Sequence, residues 1–559
     1  MKLNKFKILL TLVLLLATFL RFYRIDENPV SLFGDELDVG YQAYSILKTG
    51  RDYMGNFLPI HFQSLAEYRT PLYIYSAVPT VAVFGISALG VRLPAAVFGV
   101  LSVLALYLLV LEITKNKKLG LLAAFLLSIS PWHTHFSRAG FEVTEMLFFY
   151  ITGIYFFLHG LKSGKWLFLS AICLGLTPWV YSTAKLFLPL TVLAILVIWW
   201  KDLLNIPKRR LFLAITIFVI IVVPFLTSTI FGGGAERIQG ISIFNNPTVI
   251  PQMGFDRMND VNVRGENQSV TIVDKLFHNK ITAYSAIFIN NYFQSFSPEF
   301  LFTKGDYLNL RQSSGIEFYK VELIFLILGL IYLVTSGLDR KVKAFLIFWL
   351  LVAPIPSSLT QGGGNHATRL ILMLPILIIL IAFGMYYSYT KISRKLKVVF
   401  LVLVSIILFL NFIFYQHNYW VHYPWSSERW WHAGYEEAIK SAVKIGGNYD
   451  RVIISSANEP SLKFFLGWSM YPPERFQKEY NADSTLHLGK YEFPPVGAGL
   501  NLYEIGSKLP EGVLYLATIK EIVLDLNKEP GRVPNDIKLI KIINYPSGAP
   551  AFYLFEKAI

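Results

Sequence analysis

The stretch SLFGDELDVGYQAY (residues 31–44) follows the first apolar run and sets an adjacent acidic pair, Asp35 and Glu36, just outside a membrane. Carboxylates close to lipid are costly unless they are solvated, paired or working, so the pair is a candidate site by position alone. Its plain competitor is a helix start: Gly34-Asp35 can open a helix over LDVGYQAYSIL, where first-turn carboxylates suit the helix dipole. The organisation of the remaining chain decides between the two.

With 54% hydrophobic and only 16% charged residues in 559, the chain is too apolar for an ordinary soluble protein and reads as a polytopic membrane protein. The net charge of +14 does not call for nucleic acid, because Lys and Arg cluster between apolar runs as they do in cytoplasmic loops. The sole cysteine, Cys173, lies inside an apolar run, which excludes an intramolecular disulfide and a cysteine-rich metal site. The run ILLTLVLLLATFL (residues 8–20) is followed by Arg21 and Arg24 and by no small-residue cleavage site, so it is read as a retained first span.

Lys2, Lys5 and Lys7 hold the N-terminus inside. Spans then follow at residues 8–22, 91–113, 119–131, 141–161, 166–181, 186–200 and 211–230. After a long outer segment at 231–318, a span from 321 leads in to DRKVK (339–343), another leads out to the loop 357–369, and a third leads in to KISRKLK (391–397). The last span exits near residue 415, which makes eleven. The apolar piece 71–90, broken by Pro79, Gly85 and Gly90, is read as interfacial, because making it a span would turn every later basic loop outward. The fold class is thus a polytopic α-helical membrane domain, residues 1–415 with outer loops 23–90 and 231–318, joined to an extracytoplasmic α/β domain, residues 416–559. Within the latter, YEEAIKSAVKI and SLKFFLGW have helical spacing, RVIISS reads as a strand, and LIKIINYPSGAPAFYLF as a hairpin about Pro-Ser-Gly.

This topology gathers Asp35, Glu36, Glu67, Arg69, Arg138, Glu142, Glu145, Lys185, Asp306, His366 and Arg369 on the outer face and leaves the inner face little but Lys and Arg. Nucleotide-activated substrates belong to the cytosol, so an activated substrate used on the outer face must arrive attached to lipid. The spans carry no charge near mid-depth, where ion-coupled transporters place theirs.

The same outer residues resemble the GT-C superfamily of membrane glycosyltransferases, in its branch of protein O-mannosyltransferases and lipid A aminoarabinose transferases. FGDELDVGYQAY resembles the first outer loop of that family, with its catalytic acidic pair. EYRTPLYIY (67–75) resembles the basic-Pro-Pro-aromatic motif, with Arg69 in the basic position and Thr70 in place of one proline. SPWHTHFSRAGFEVTE (130–145) resembles the second outer loop, whose arginine binds the donor phosphate and here is Arg138. PWVYSTAK (178–185) and GGGNHATRLILMLP (362–375) resemble segments that present Tyr181, Lys185, His366 and Arg369 to the same surface.

The resemblance implies transfer of a sugar from a polyprenyl-phosphate donor to an acceptor hydroxyl, with inversion. Asp35 is then the general base and Glu36 orients it or the acceptor. Arg138 and Arg69 are the first choices for the donor phosphate, and Lys185 and Arg369 the reserves. Glu67, Tyr181 and His366 contact substrate, and Glu67 with His366 are the candidates for a divalent ion, although no cofactor is certain. Each residue also has an ordinary reading: Arg138 snorkels to headgroups, Glu67 pairs with Arg69, and His366 is a plain loop histidine. Expected partners are the lipid-linked donor, a protein, lipid or glycan acceptor, and membrane lipid. The rival function is a flippase or glycan-binding protein for lipid-linked saccharides, without transferase activity.

Overall fold

A computed structural model describes residues 5–65, 67–265, 269–307, 309–480 and 486–558; Lys2 lies outside them. The chain divides into two compact units. Unit 1 comprises Met1–Leu20, Phe98–Phe136 and Glu142–Tyr415, and unit 2 comprises Arg21–Val97, Ser137–Phe141 and Gln416–Ile559. A division thus falls after Tyr415, where the composition changes, but the second unit also takes in Arg21–Val97 and a five-residue strap, Ser137–Phe141.

Unit 1 is a helical bundle. Each of the eleven stretches read as spans is helical, from α1 (Lys5–Phe22) to Lys397–His417. Seven helices among the described residues are long and apolar enough to cross a membrane. Their burial sorts them by place. The helix Met373–Lys391 is apolar all round and 72% of its apolar window is buried, so it is the centre of the bundle. Lys208–Phe231 and the segment beginning at Lys397 bury only 17% and 11% of theirs, which leaves their apolar sides to lipid. Glu322–Thr335 crosses the central helix at two glycines: a methyl group at Gly329 would collide with the Leu380 carbonyl, and one at Gly384 with that of Phe325. Small residues at such a crossing let backbones approach, which is how helices associate in lipid without a hydrophobic drive.

Unit 2 is built on a six-stranded sheet. A two-stranded ribbon comes first, β1 (Phe62–Gln63) against β2 (Tyr68–Arg69). Strands β3 (Arg451–Ile454), β4 (Leu486–Leu488), β5 (Tyr491–Phe493), β6 (Val513–Thr518), β7 (Ile537–Asn544) and β8 (Pro550–Lys557) then form a sheet in the order β4-β5-β3-β6-β8-β7. Strand β3 runs parallel to β5 and β6, and the other pairs are antiparallel. All six residues of β6 are buried, as a strand covered on both faces requires. The expected hairpin is β7-β8, and the two expected helices are Tyr435–Ile445 and Ser461–Ser469.

The helices α2 (Gly34–Thr49) and α3 (Leu72–Phe84) share the core of this sheet domain. Leu37, Tyr41, Tyr53, Tyr73 and Ala77 pack in one cluster with Phe464, Leu466, Leu516, Phe552 and Leu554. Residue 467 is glycine because a Cβ there would press on the Leu37 side chain. The ambiguous apolar piece 71–90 therefore supplies a 13-residue helix to a domain core, buried through Tyr73, Ile74, Ala77 and Val81.

Candidate active site

Helical geometry separates the acidic residues of α2. Residues three apart share a face, whereas neighbours diverge by about 100°. Asp35 and Asp38 thus turn to one side, and Glu36 turns into the core.

Glu36 and its partner Arg92 are both fully buried, with Arg92 Nε 2.8 Å from Glu36 Oε1. A second guanidinium nitrogen donates to Glu36 Oε2 at 3.0 Å, and the remaining donors reach the carbonyls of Ile25, Pro29 and Ser31. Glu36 also accepts from the backbone N–H of Gly140 at 2.6 Å and of Phe33 at 3.3 Å. Both members of the pair are saturated, as a buried ion pair must be. Glu36 accordingly ties the start of α2 to the loop 25–31 and to the strap 137–141, and the role of orienting an acceptor does not suit a carboxylate with no open face.

Asp35 is the contrasting case. Its side chain is half open to solvent, and it accepts from the Arg69 guanidinium at 2.8 Å. Arg69, nearly buried on β2, also lies 2.6 Å from Asp38 and 3.5 Å from Glu67. Asp38 in turn accepts from the hydroxyls of Tyr53 at 2.7 Å and Ser64 at 2.9 Å. Burial pushes the Asp38 carboxyl above its ordinary range, against the pull of Arg69 and of these two hydroxyls. One guanidinium among three carboxylates is already over-neutralised, so Arg69 is better suited to holding Asp35 than to gripping a phosphate.

Arg138 needs a correction of the same kind. It is 1% exposed, and it donates to the carbonyls of Tyr23, Arg24 and Asn28 at 2.8–3.0 Å and to the Tyr419 hydroxyl at 3.1 Å. The rings of Tyr419 and Trp420 pack on its guanidinium at 5.6 and 4.8 Å. A guanidinium with this many carbonyl and aromatic partners is the core of a loop, and the donor phosphate it was expected to bind has no access to it.

In unit 1 the structure brings Tyr181, Lys185 and Arg369 together. They line one cavity of about 240 Å³ with Ser182, Thr183 and Thr360, and Leu186, Ile241, Phe244 and Leu359 complete an apolar wall. Lys185 Nζ donates to the Gly234 carbonyl at 3.0 Å and lies 5.2 Å from the Phe225 ring. Arg369 donates to the Thr360 hydroxyl at 2.7 Å and to the Gln361 carbonyl at 3.0 Å. Two cations, five hydroxyl side chains and an apolar wall suit a phosphate with a hydrocarbon tail. Asp306, whose carboxyl accepts from the Ala367 N–H at 3.3 Å, is pushed up to about 7 by burial, with Arg369 pulling the other way.

His366 does not line that cavity, and Glu67, in the other unit, pairs with Arg69. Among the described residues no three His, Cys, Asp or Glu side chains gather as a metal ion requires. The two residues that sequence reasoning missed had visible signals. Asp38 sits three positions after Asp35, and Arg92 is a lone charge at the start of an apolar run, where a buried partner is to be expected.

Residues 11–232 match the family Dolichyl-phosphate-mannose-protein mannosyltransferase. No curated relative matches the chain by sequence. Among solved structures, the Archaeoglobus fulgidus oligosaccharyltransferase in its apo form is similar with a TM-score of 0.54 at 12% identity, over 93% of this chain and 70% of that one. ArnT from Cupriavidus metallidurans bound to undecaprenyl phosphate is similar with a TM-score of 0.54 at 10% identity, over 98% of this chain and 97% of that one. The archaeal oligosaccharyltransferase AglB in complex with an inhibitory peptide and a dolichol-phosphate gives 0.50 at 13% identity, over 99% and 74%. The resemblance read from the sequence thus holds: the chain is an integral membrane protein of the GT-C fold, with a segment similar to the protein mannosyltransferases.

Proposed function

We propose that the chain is a glycosyltransferase that moves a sugar from a polyprenyl-phosphate donor to an acceptor hydroxyl on the extracytoplasmic face, with inversion. The observation that carries this reading is Asp35: the one member of the first outer carboxylate pair that faces solvent, held by an arginine that Asp38 anchors from behind. A carboxylate so placed removes the proton of an acceptor hydroxyl as that oxygen attacks the anomeric carbon, and the sugar–phosphate bond breaks on the opposite side. Within unit 1, Lys185 and Arg369 are the groups we assign to binding a lipid phosphate. Arg69 holds and orients Asp35. The mannosyltransferase family match and the lipid phosphates bound to two proteins of similar fold support a donor of this class.

The test is transfer by purified protein in lipid vesicles, supplied with a panel of polyprenyl-phosphate sugars and mixed acceptors, with and without chelator. Asp35→Asn is expected to lower turnover about 10²–10⁴-fold, as loss of a general base does, with unchanged thermal unfolding. Normal turnover in that variant would remove Asp35 as the base. Movement of intact lipid-linked saccharide across the bilayer, with no sugar transferred, would favour the flippase.

A further inference from the structure

The first N–H groups of a helix have no partner within it and are ordinarily capped by a Ser, Thr, Asn or Asp just before it. The residue in that position of α2 is Phe33, whose ring offers no acceptor. The N–H of Gly34 is instead taken by Nδ1 of His432, 398 positions away, at 3.2 Å. His432 is 5% exposed and holds a φ of +53°, a left-handed conformation uncommon for residues other than glycine.

Because a backbone N–H donates to Nδ1, the ring proton is on Nε2, which points to Glu459 Oε1 at 3.6 Å. Glu459 also takes Lys463 Nζ at 3.5 Å, and the lysine stem crosses Gly34: a Cβ at position 34 would lie 2.5 Å from Nζ and 2.7 Å from Cε. Phe464 meets the His432 ring edge-on at 5.0 Å and closes the arrangement. The residue next to Asp35 is therefore held by the C-terminal segment through its N–H, with the Lys463 stem lying alongside.

We propose that His432 is a positioning residue for Asp35, with Glu459 fixing its tautomer, so that the C-terminal segment of unit 2 sets the aim of the acidic helix start. This rests on the reading of Asp35 as the base. A local cap would have served stability equally well. A cap supplied from a separate segment instead makes the direction of Asp35 depend on that segment's fold.

Three substitutions separate the roles. His432→Ala removes both ring nitrogens. His432→Asn keeps an acceptor, its Oδ1, where Nδ1 stood. His432→Gln reaches towards Glu459 but loses the acceptor for Gly34. Hydrogen exchange of the peptide spanning residues 33–40 is expected to quicken at least about 10-fold in the Ala and Gln variants and to return to normal in the Asn variant, since an uncapped first turn frays. Turnover is expected to fall about 10–100-fold in the Ala and Gln variants, with donor KM within about twofold of normal, as misplacement of a reacting group by an ångström does. The Asn variant should recover both.

Normal turnover in an Ala variant whose exchange has quickened would overturn the proposal, and so would Gln and Asn variants that behave alike. If the Ala variant does not accumulate, Glu459→Leu, which removes the acceptor facing Nε2 and frees the ring to flip, should still lower turnover several-fold at unchanged donor KM; unaffected turnover there would also overturn it. Wild-type protein inactive on every lipid-phosphate sugar would defeat the functional reading, while the exchange of residues 33–40 still decides whether His432 clamps the helix.

Discussion

Arg92 and Arg69 are both buried guanidiniums on the same unit, yet their surroundings give them opposite duties. Arg92 meets one fully buried carboxylate and three carbonyls, so replacing it with leucine strands Glu36 without a counter-charge. Breaking a buried pair from one side costs roughly 3–5 kcal/mol, and Arg92→Leu should lower the thermal midpoint sharply whatever its effect on turnover. Arg69→Lys should fold and lose turnover, because a single ammonium cannot span Asp35 and Asp38 as the planar fork does. Asp306 gives a pH prediction. Its folded pKa of about 7 lies above the unfolded value, so its contribution is complete below about pH 4 and is lost as pH rises through 7. Wild-type stability should therefore fall between these limits more steeply than that of Asp306→Asn, measured as thermal midpoint against pH. That Asp35 and Glu36 form a candidate pair was legible from their adjacency. The division of labour within the pair was not, because it depends on which way each side chain turns and on an arginine 56 positions away.

The elements obey simpler rules. Apolar runs of spanning length and basic clusters placed the helices of unit 1 closely, and period-two patterning placed the β7-β8 hairpin, because both signals are local. Tighter features were invisible. Gly329 and Gly384 read as ordinary glycines in apolar helices until their opposing carbonyls are seen. Gly384→Leu should prevent the crossing of Glu322–Thr335 with the central helix and abolish recovery of folded protein, judged by size-exclusion chromatography in detergent. The cavity of Lys185 and Arg369 belongs to this scale too, since it joins the end of one helix to a loop more than 180 residues later. Lys185→Ala and Arg369→Ala are each expected to raise donor KM about 10-fold or more, as loss of a charged hydrogen bond to phosphate worth about 1.5–3 kcal/mol requires, with little change in thermal stability.

At the scale of the whole molecule, unit 2 draws on three separated stretches of chain, and its core mixes Leu37 and Tyr73 with Phe464 and Phe552. Composition announced the change after residue 415 but could not announce that residues 21–97 share a core with the C-terminal segment, because such pairing leaves no periodic trace in either stretch. Removing residues 416–559 should therefore unfold α2 as well, seen as new protease cleavage between residues 34 and 84 in membranes carrying the shortened chain. The same interleaving sets a schedule for synthesis. The helix bearing Asp35 leaves the ribosome early, whereas the strand holding Phe552 and Leu554 emerges some 500 residues afterwards, roughly 25–100 s later at ordinary elongation rates. Throughout that interval the apolar side of α2 waits without its cover, so a newborn chain is most exposed to misassembly at the helix that carries Asp35, which stays unfinished until the last strand has been added.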